Sequence, residues 1–216
     1  MDGEFDPTER RIVGVLIEKA LSTPDYYPMT LNAIVAAANQ RNNRDPVMHY
    51  TEFEIDGALR SLFEKKWVTY VEGGGRVRKW RHRLDERLGV STPELAVLAE
   101  LLLRGAQQPG ELRTRSGRMA NIPTQEDLTG ILDELGKHLP PLVVRLPRQS
   151  GERADRYGQT LAPDSQDAAP PPSPTAAPER LAPSPAVGSV IERIERLERE
   201  VADMRSQLDA LKRPAS

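Results

Sequence analysis

One structural plan is written twice along this chain. An apolar helix, a short second helix and a third helix precede a pair of strands, and the third helix shows the repetition best. Ile55, Ala58, Leu59 and Leu62 recur 73 positions later as Leu128, Ile131, Leu132 and Leu135. That spacing places each set on one helical face. Both copies then enter β-rich segments, at 68–71 and 142–146. Three helices closed by a hairpin is the order of a winged helix. The duplication therefore predicts a mainly α fold with small β-hairpins, arranged as two tandem winged-helix domains. Function stays open, because such domains bind DNA, RNA or protein.

The first helix of each copy carries a start signal. Asp6-Pro7-Thr8-Glu9 supplies a cap, a first-turn proline and a capping-box glutamate, and Ser91-Thr92-Pro93-Glu94 repeats it. Aligning Val13, Leu16 and Ala20 with Leu95, Leu98 and Leu102 gives an offset of 82 rather than 73, so the first copy holds nine extra residues between its first and third helices. They fall within 25–30 or 39–48. The second stretch is the odder, being polar, rich in Asn and Arg and closed by Pro46 where a tight turn is usual. Either its Asn and Asp side chains cap the adjoining helices, or Arg41, Asn42, Asn43 and Arg44 project to a phosphate backbone or an acidic partner.

The domains are expected at 6–86 and 90–161. Eight of the 19 prolines lie between Pro163 and Pro185, and the Pro/Ala-rich stretch 162–186 buries too little to fold, which makes it a disordered linker. After it, Val187, Ile194, Val201 and Leu208 take the a positions of a heptad repeat, and Val190, Leu197, Met204 and Leu211 the d positions. A C-terminal coiled-coil helix over 187–213 follows, pairing two copies into a parallel homodimer. Arg193 would then face Glu198, and Glu200 would face Arg205. The alternative is a helix folded back on its own chain.

Absences narrow the function classes. With no cysteine, disulfides, thiolate metal sites and cysteine nucleophiles are excluded. His49, His82 and His138 are far apart and without ligand-spaced companions, so no metal and no cofactor are expected. Gly73-Gly74-Gly75 precedes no helix, and Gly117 lacks the flanks of a nucleophile elbow; the chain is read as not an enzyme. No apolar run reaches about 18 residues and no signal segment opens the chain. A cytoplasmic protein with no membrane partner is expected.

With a net charge of -2, any nucleic-acid contact needs local asymmetry. The first hairpin offers it: Arg76, Arg78, Lys79, Arg81 and Arg83 fall in eight residues without an acid, on both faces of a strand. Laid along double-stranded DNA, such a wing gives a salt-dependent attachment, whereas edge charges that deter aggregation are the plainer use. The third helices argue against DNA. Glu52, Glu54, Asp56 and Glu64 outweigh Arg60, Lys65 and Lys66, and Glu126, Asp127, Asp133 and Glu134 outweigh Lys137. An acidic helix is repelled by phosphate and attracts a basic partner protein.

The runs Val13-Gly14-Val15-Leu16-Ile17-Glu18-Lys19, Thr23-Pro24-Asp25, Asn39-Gln40, Asn43-Arg44-Asp45-Pro46-Val47, Trp80-Arg81-His82-Arg83 and Pro109-Gly110-Glu111-Leu112-Arg113 resemble the YceH-like family of bacterial proteins. The match covers about residues 7–161. Where the family more often has a tyrosine this chain has Trp80, and where it usually has a cysteine before the Asn-Gln pair this chain has Ala38. The resemblance implies two tandem winged-helix domains, often a C-terminal coiled coil, and no established activity. The expectation is a DNA-binding regulator that works through the first wing and the Arg-Asn loop. Its alternative is a protein-interaction module similar to the tandem winged helices of segregation and condensation proteins.

Overall fold

A computed structural model describes residues 4–72, 77–149, 151 and 153–162. The coiled-coil positions Val187, Val190, Ile194, Leu197, Val201, Met204, Leu208 and Leu211, the linker beyond 162, and Arg76 lie outside the described residues.

The predicted start signals act as written. Asp6 Oδ1 accepts the backbone N–H groups of Thr8 and Glu9, each at 2.8 Å, and Glu9 Oε2 accepts that of Asp6 at 2.9 Å, which starts α1 (Pro7–Ser22). Ser91 and Glu94 start α5 (Thr92–Arg104) in the same way. Between them the chain forms β1 (Met29–Thr30), α2 (Leu31–Ala38), α3 (Glu52–Glu64), β2 (Val68–Glu72), β3 (Arg78–His82) and the short α4 (Leu84–Leu88). The second copy continues with α6 (Pro109–Ser116), α7 (Gln125–Lys137), β4 (Val143–Leu146) and β5 (Arg156–Gln159).

The result is mixed α/β, with small antiparallel sheets. β1, β3 and β2 form a three-stranded sheet in that order, with Tyr70 and Met29 on either side of Trp80. β4 pairs with β5, and a single bridge from Gln107 to Tyr157 stands where β1 stands in the first copy. Ile55, Ala58, Leu59 and Leu62 are buried, as are Leu128, Leu132 and Leu135, while Ile131 is half-buried. The nine surplus residues are shared between both candidate stretches. Thirteen residues join α2 to α3 against eight between α6 and α7, and eight join α1 to α2 against four between α5 and α6.

The two copies share one core. α1 is buried on every face from Glu9 to Glu18, and α5 from Leu95 to Leu103. Helices apolar on one face alone cannot do this; each first helix packs against its own copy on one side and against the other first helix on the opposite side. Gly14 sets their separation, since a Cβ there would lie 2.9 Å from Leu103 Cγ and Cδ2 and 3.2 Å from Leu102 Cβ. The chain ends of the unit also meet, the Phe5 N–H donating to the Leu161 carbonyl at 2.9 Å.

Gly14→Val tests the crossing. The added carbons press on Leu102 and Leu103, so urea unfolding should show a loss of about 1–3 kcal/mol, the ordinary cost of overpacking. Stability equal to that of the unsubstituted protein would mean that α1 and α5 do not approach this closely.

Candidate interaction surfaces and the ion network beneath them

The residues expected to meet DNA are not all at the surface. Arg41 and Asn42 are exposed, but Asn43 is half-buried at a positive φ of 60°, and its Oδ1 accepts from Arg104 Nη2 at 2.9 Å. Arg44 corrects the expectation outright, because its side chain has no exposure at all. It donates from Nη2 to Glu18 Oε2 at 2.6 Å and to Gln40 Oε1 at 3.2 Å. Its Nη1 reaches Glu18 Oε1 at 3.3 Å and the Asn43 carbonyl at 2.8 Å, and its Nε reaches the Ala37 carbonyl at 3.1 Å. No donor remains for a phosphate.

The Arg-Asn loop therefore serves the interior. Its ends are pinned by Asn39, whose Nδ2 donates to the Tyr50 carbonyl at 2.8 Å while its Oδ1 accepts the Tyr50 N–H at 2.6 Å. From this base the loop crosses to α5, with the Asp45 N–H donating to the Leu103 carbonyl at 3.0 Å. Arg11, itself buried, donates to the Pro46 carbonyl at 2.5 Å, and burial pushes its guanidinium down to about 10. Local side-chain bonds hold the loop, and they also carry Arg44 to the contact between the copies.

Around Arg44 lies an ion network joining both copies. Glu18 on α1 and Glu100 on α5 hold equivalent places, 82 apart, and both are buried. Arg118, from the α6–α7 connection, bridges them, donating from Nη1 to Glu18 Oε1 and from Nη2 to Glu100 Oε2 at 3.0 Å. Arg104 Nε lies 3.2 Å from the other Glu100 oxygen. Burial alone would raise the Glu18 carboxyl, but the hydrogen bonds and charges of Arg44 and then Arg118 outweigh it and hold the group below the ordinary value of 4.5.

The hairpin is an ordinary half-buried one. Trp80 and His82, on the face shared with Arg78, are 5% and 7% exposed, so that face is not uniformly basic. Trp80 packs edge-on to Tyr70 and Phe63, and Arg78 is exposed and stacks over the Tyr70 ring at 4.9 Å. Arg81 Nη1 and Arg83 Nε share one carboxylate, Glu86, at 3.0 and 2.9 Å. Glu86 sits in α4, three residues past the acid-free run 76–83. Lys79 and Arg78 remain as exposed cations of this strand.

The exposed face of α3 has another character. Phe53 is 89% exposed, among Glu52, Glu54 and Asp56, and Asp56 already holds Arg60 at 2.6 Å. Gly57, one turn on, is repeated as Gly130 in α7, and a Cβ at either would meet nothing within 4 Å. A groove of about 620 Å³ runs over Gly130, its rim formed by Glu94, Glu126, Asp127 and Glu134. Two of these acids are occupied by helix starts, Glu94 with Ser91 and Asp127 with Thr124. Phe53 was missed in the sequence because a phenylalanine beside an apolar stripe reads as core.

These features describe a duplicated helix–hairpin protein with a buried charge network and acidic third helices. No helix of the described residues is long and apolar enough to cross a membrane. The family profile "Protein of unknown function, DUF480" matches residues 5–152, and the chain belongs to this family. A UPF0502 protein of Citrifermentans bemidjiense is 45% identical over 95% of this chain and 92% of its own length. One of Mesorhizobium japonicum is 44% identical over 96% of each, and one of Geotalea daltonii 50% identical over 80% of each. The YceH-like resemblance agrees with this bacterial family.

Arg44→Met leaves the buried Glu18 carboxylate with Arg118 and a looser contact to Lys19 at 3.9 Å, and should cost about 3–5 kcal/mol in urea unfolding, whereas exposed Arg41→Met should cost less than about 0.5 kcal/mol. Because the folded Glu18 value is depressed, its contribution is present above pH 4.5 and is lost as pH falls through the folded value. The difference between the Arg44→Met protein and the unsubstituted one should therefore shrink on acidification. A difference that is constant with pH would contradict the pairing.

Proposed function

We propose that this protein is a non-catalytic interaction module, built as two winged-helix domains, whose third helices receive a basic partner protein. The observation that carries this is Phe53. A phenylalanine left almost wholly in water within an acidic helix face is the kind of anchor that interfaces use at their centres, and the surrounding carboxylates select a basic counterpart. Gly57 and Gly130 support it. An exposed mid-helix glycine costs about 1 kcal/mol relative to alanine, and the fold has room for the missing methyl at both places. What benefits from a bare helix surface is a partner backbone lying close over it.

Double-stranded DNA is a second reading, favoured by the exposed Arg78 and Lys79 on the first hairpin and Arg41 and Asn42 on the loop. It has lost Arg44 to the interior, Asn43 to Arg104, and part of Arg81 and Arg83 to Glu86. The remaining cations sit on a molecule whose recognition helix would face phosphate with acids.

Two measurements separate the readings. Cross-linking in cells should yield a defined protein partner that is lost with Phe53→Ser and with Glu52→Lys. Gly57→Ala should bind that partner less well although it is more stable by about 0.5–1 kcal/mol. In a salt titration on random duplexes the protein should show no affinity that depends on Arg78 and Lys79. A duplex affinity that weakens at Arg78→Ala/Lys79→Ala, with a shallower salt slope, would replace the interaction module by the DNA-binding one.

A further inference from the structure

A second site lies where the two copies meet on the side of the first sheet. A cleft of about 380 Å³ opens between β3 and α4 of the first copy and the start of α5 in the second. This is at the small end of ligand pockets, which run roughly 300–1,000 Å³. Leu21, Val90 and Leu95 give it an apolar wall.

Its polar groups are unusually underused. His82 is 7% exposed, and its Nδ1 makes no hydrogen bond among the described residues, meeting Asp85 Oδ1 only at 3.4 Å. Burial holds the imidazole below its usual range, so at neutral pH it is uncharged and carries one N–H and one lone pair. The Tyr27 hydroxyl accepts the His82 backbone N–H at 2.7 Å, and its own proton has no acceptor among the described residues. Burial pushes that hydroxyl up, which keeps it a donor. Arg81 spends Nη1 on Glu86 and keeps the rest of its fork. Asp85, half exposed, has no side-chain partner better than the His82 nitrogen among the described residues. A buried polar atom left unpaired is costly, and a bound polar group recovers that cost.

An anion alone would leave Asp85 opposed to it, and a cation alone would leave Arg81 opposed. A zwitterion with an apolar body uses every group. We propose that this cleft binds a free apolar amino acid, its carboxylate on Arg81 and the Tyr27 hydroxyl, its ammonium on Asp85 and the His82 ring nitrogen, and its side chain against Leu21, Val90 and Leu95. The ligand touches both copies, so it acts on the seam between them, and the inference stands apart from the identity of any macromolecular partner.

The test is calorimetry and thermal melting of the full chain with each proteinogenic amino acid at millimolar concentration. One or more of the Val, Leu, Ile, Met and Phe group should bind and raise the melting temperature, while its N-acetyl and amide derivatives should not. Asp85→Asn and Arg81→Met should each weaken binding by about tenfold or more. Thr92→Trp, an exposed substitution on the rim, should block it. Should a variant fail to fold, the derivative series on the unsubstituted protein decides alone. No amino acid binding, or equal binding of the N-acetyl and amide forms, overturns the proposal.

Discussion

The charges that Glu18, Glu100, Arg44 and Arg118 bury where α1 meets α5 are the constraint on which the joining of the two copies depends. Two carboxylates without water repel each other and are costly to desolvate; a guanidinium shared between them makes their approach possible. Apolar packing around Gly14 supplies most of the attraction, but it is non-directional and would tolerate several helix positions. The ion network would not, since a shift of one turn leaves a carboxylate unpaired. Packing provides the drive, and charge fixes the register.

This burial also decides what the surface can offer. Arg44 is withdrawn from the loop and Arg118 from the α6–α7 connection, each into a carboxylate of the interior. On the hairpin, Glu86 takes up part of Arg81 and Arg83. Outside, Arg41, Arg78 and Lys79 stay exposed, and so does the acidic face of each third helix, with Phe53 on the first. The seam carries a second consequence. Because both copies contribute walls to the cleft around His82, whatever fills it bears on the same junction that the ion network holds.

Much of this was legible in the residues. The capping boxes at Asp6 and Ser91, the 73-residue echo in the third helices and the strands after them all appear where local pattern and backbone chemistry coincide. The destination of the Arg-Asn loop was not, because a polar loop has the same composition whether its arginine meets solvent or a buried acid. One signal was present: Glu18 and Glu100 sit at the same place on the two first helices, each within or just after a long apolar run, and a repeated buried carboxylate demands a cation. In the hairpin the period of two was legible but the burial was not: a face shared by Arg78, Trp80 and His82 reads as basic until the packing of Trp80 against Tyr70 and Phe63 is seen.

Joined through α1 and α5, the two copies should form one cooperative unit. Native-state hydrogen exchange, followed amide by amide with rising denaturant, tests it most directly. The buried amides of Val15, Leu16 and Ile17 in α1 and of Leu98, Leu101 and Leu102 in α5 should converge on one opening free energy with one denaturant dependence. Separate opening of either helix, at lower free energy and with a smaller denaturant dependence than the other, would show two independently stable copies and contradict the account.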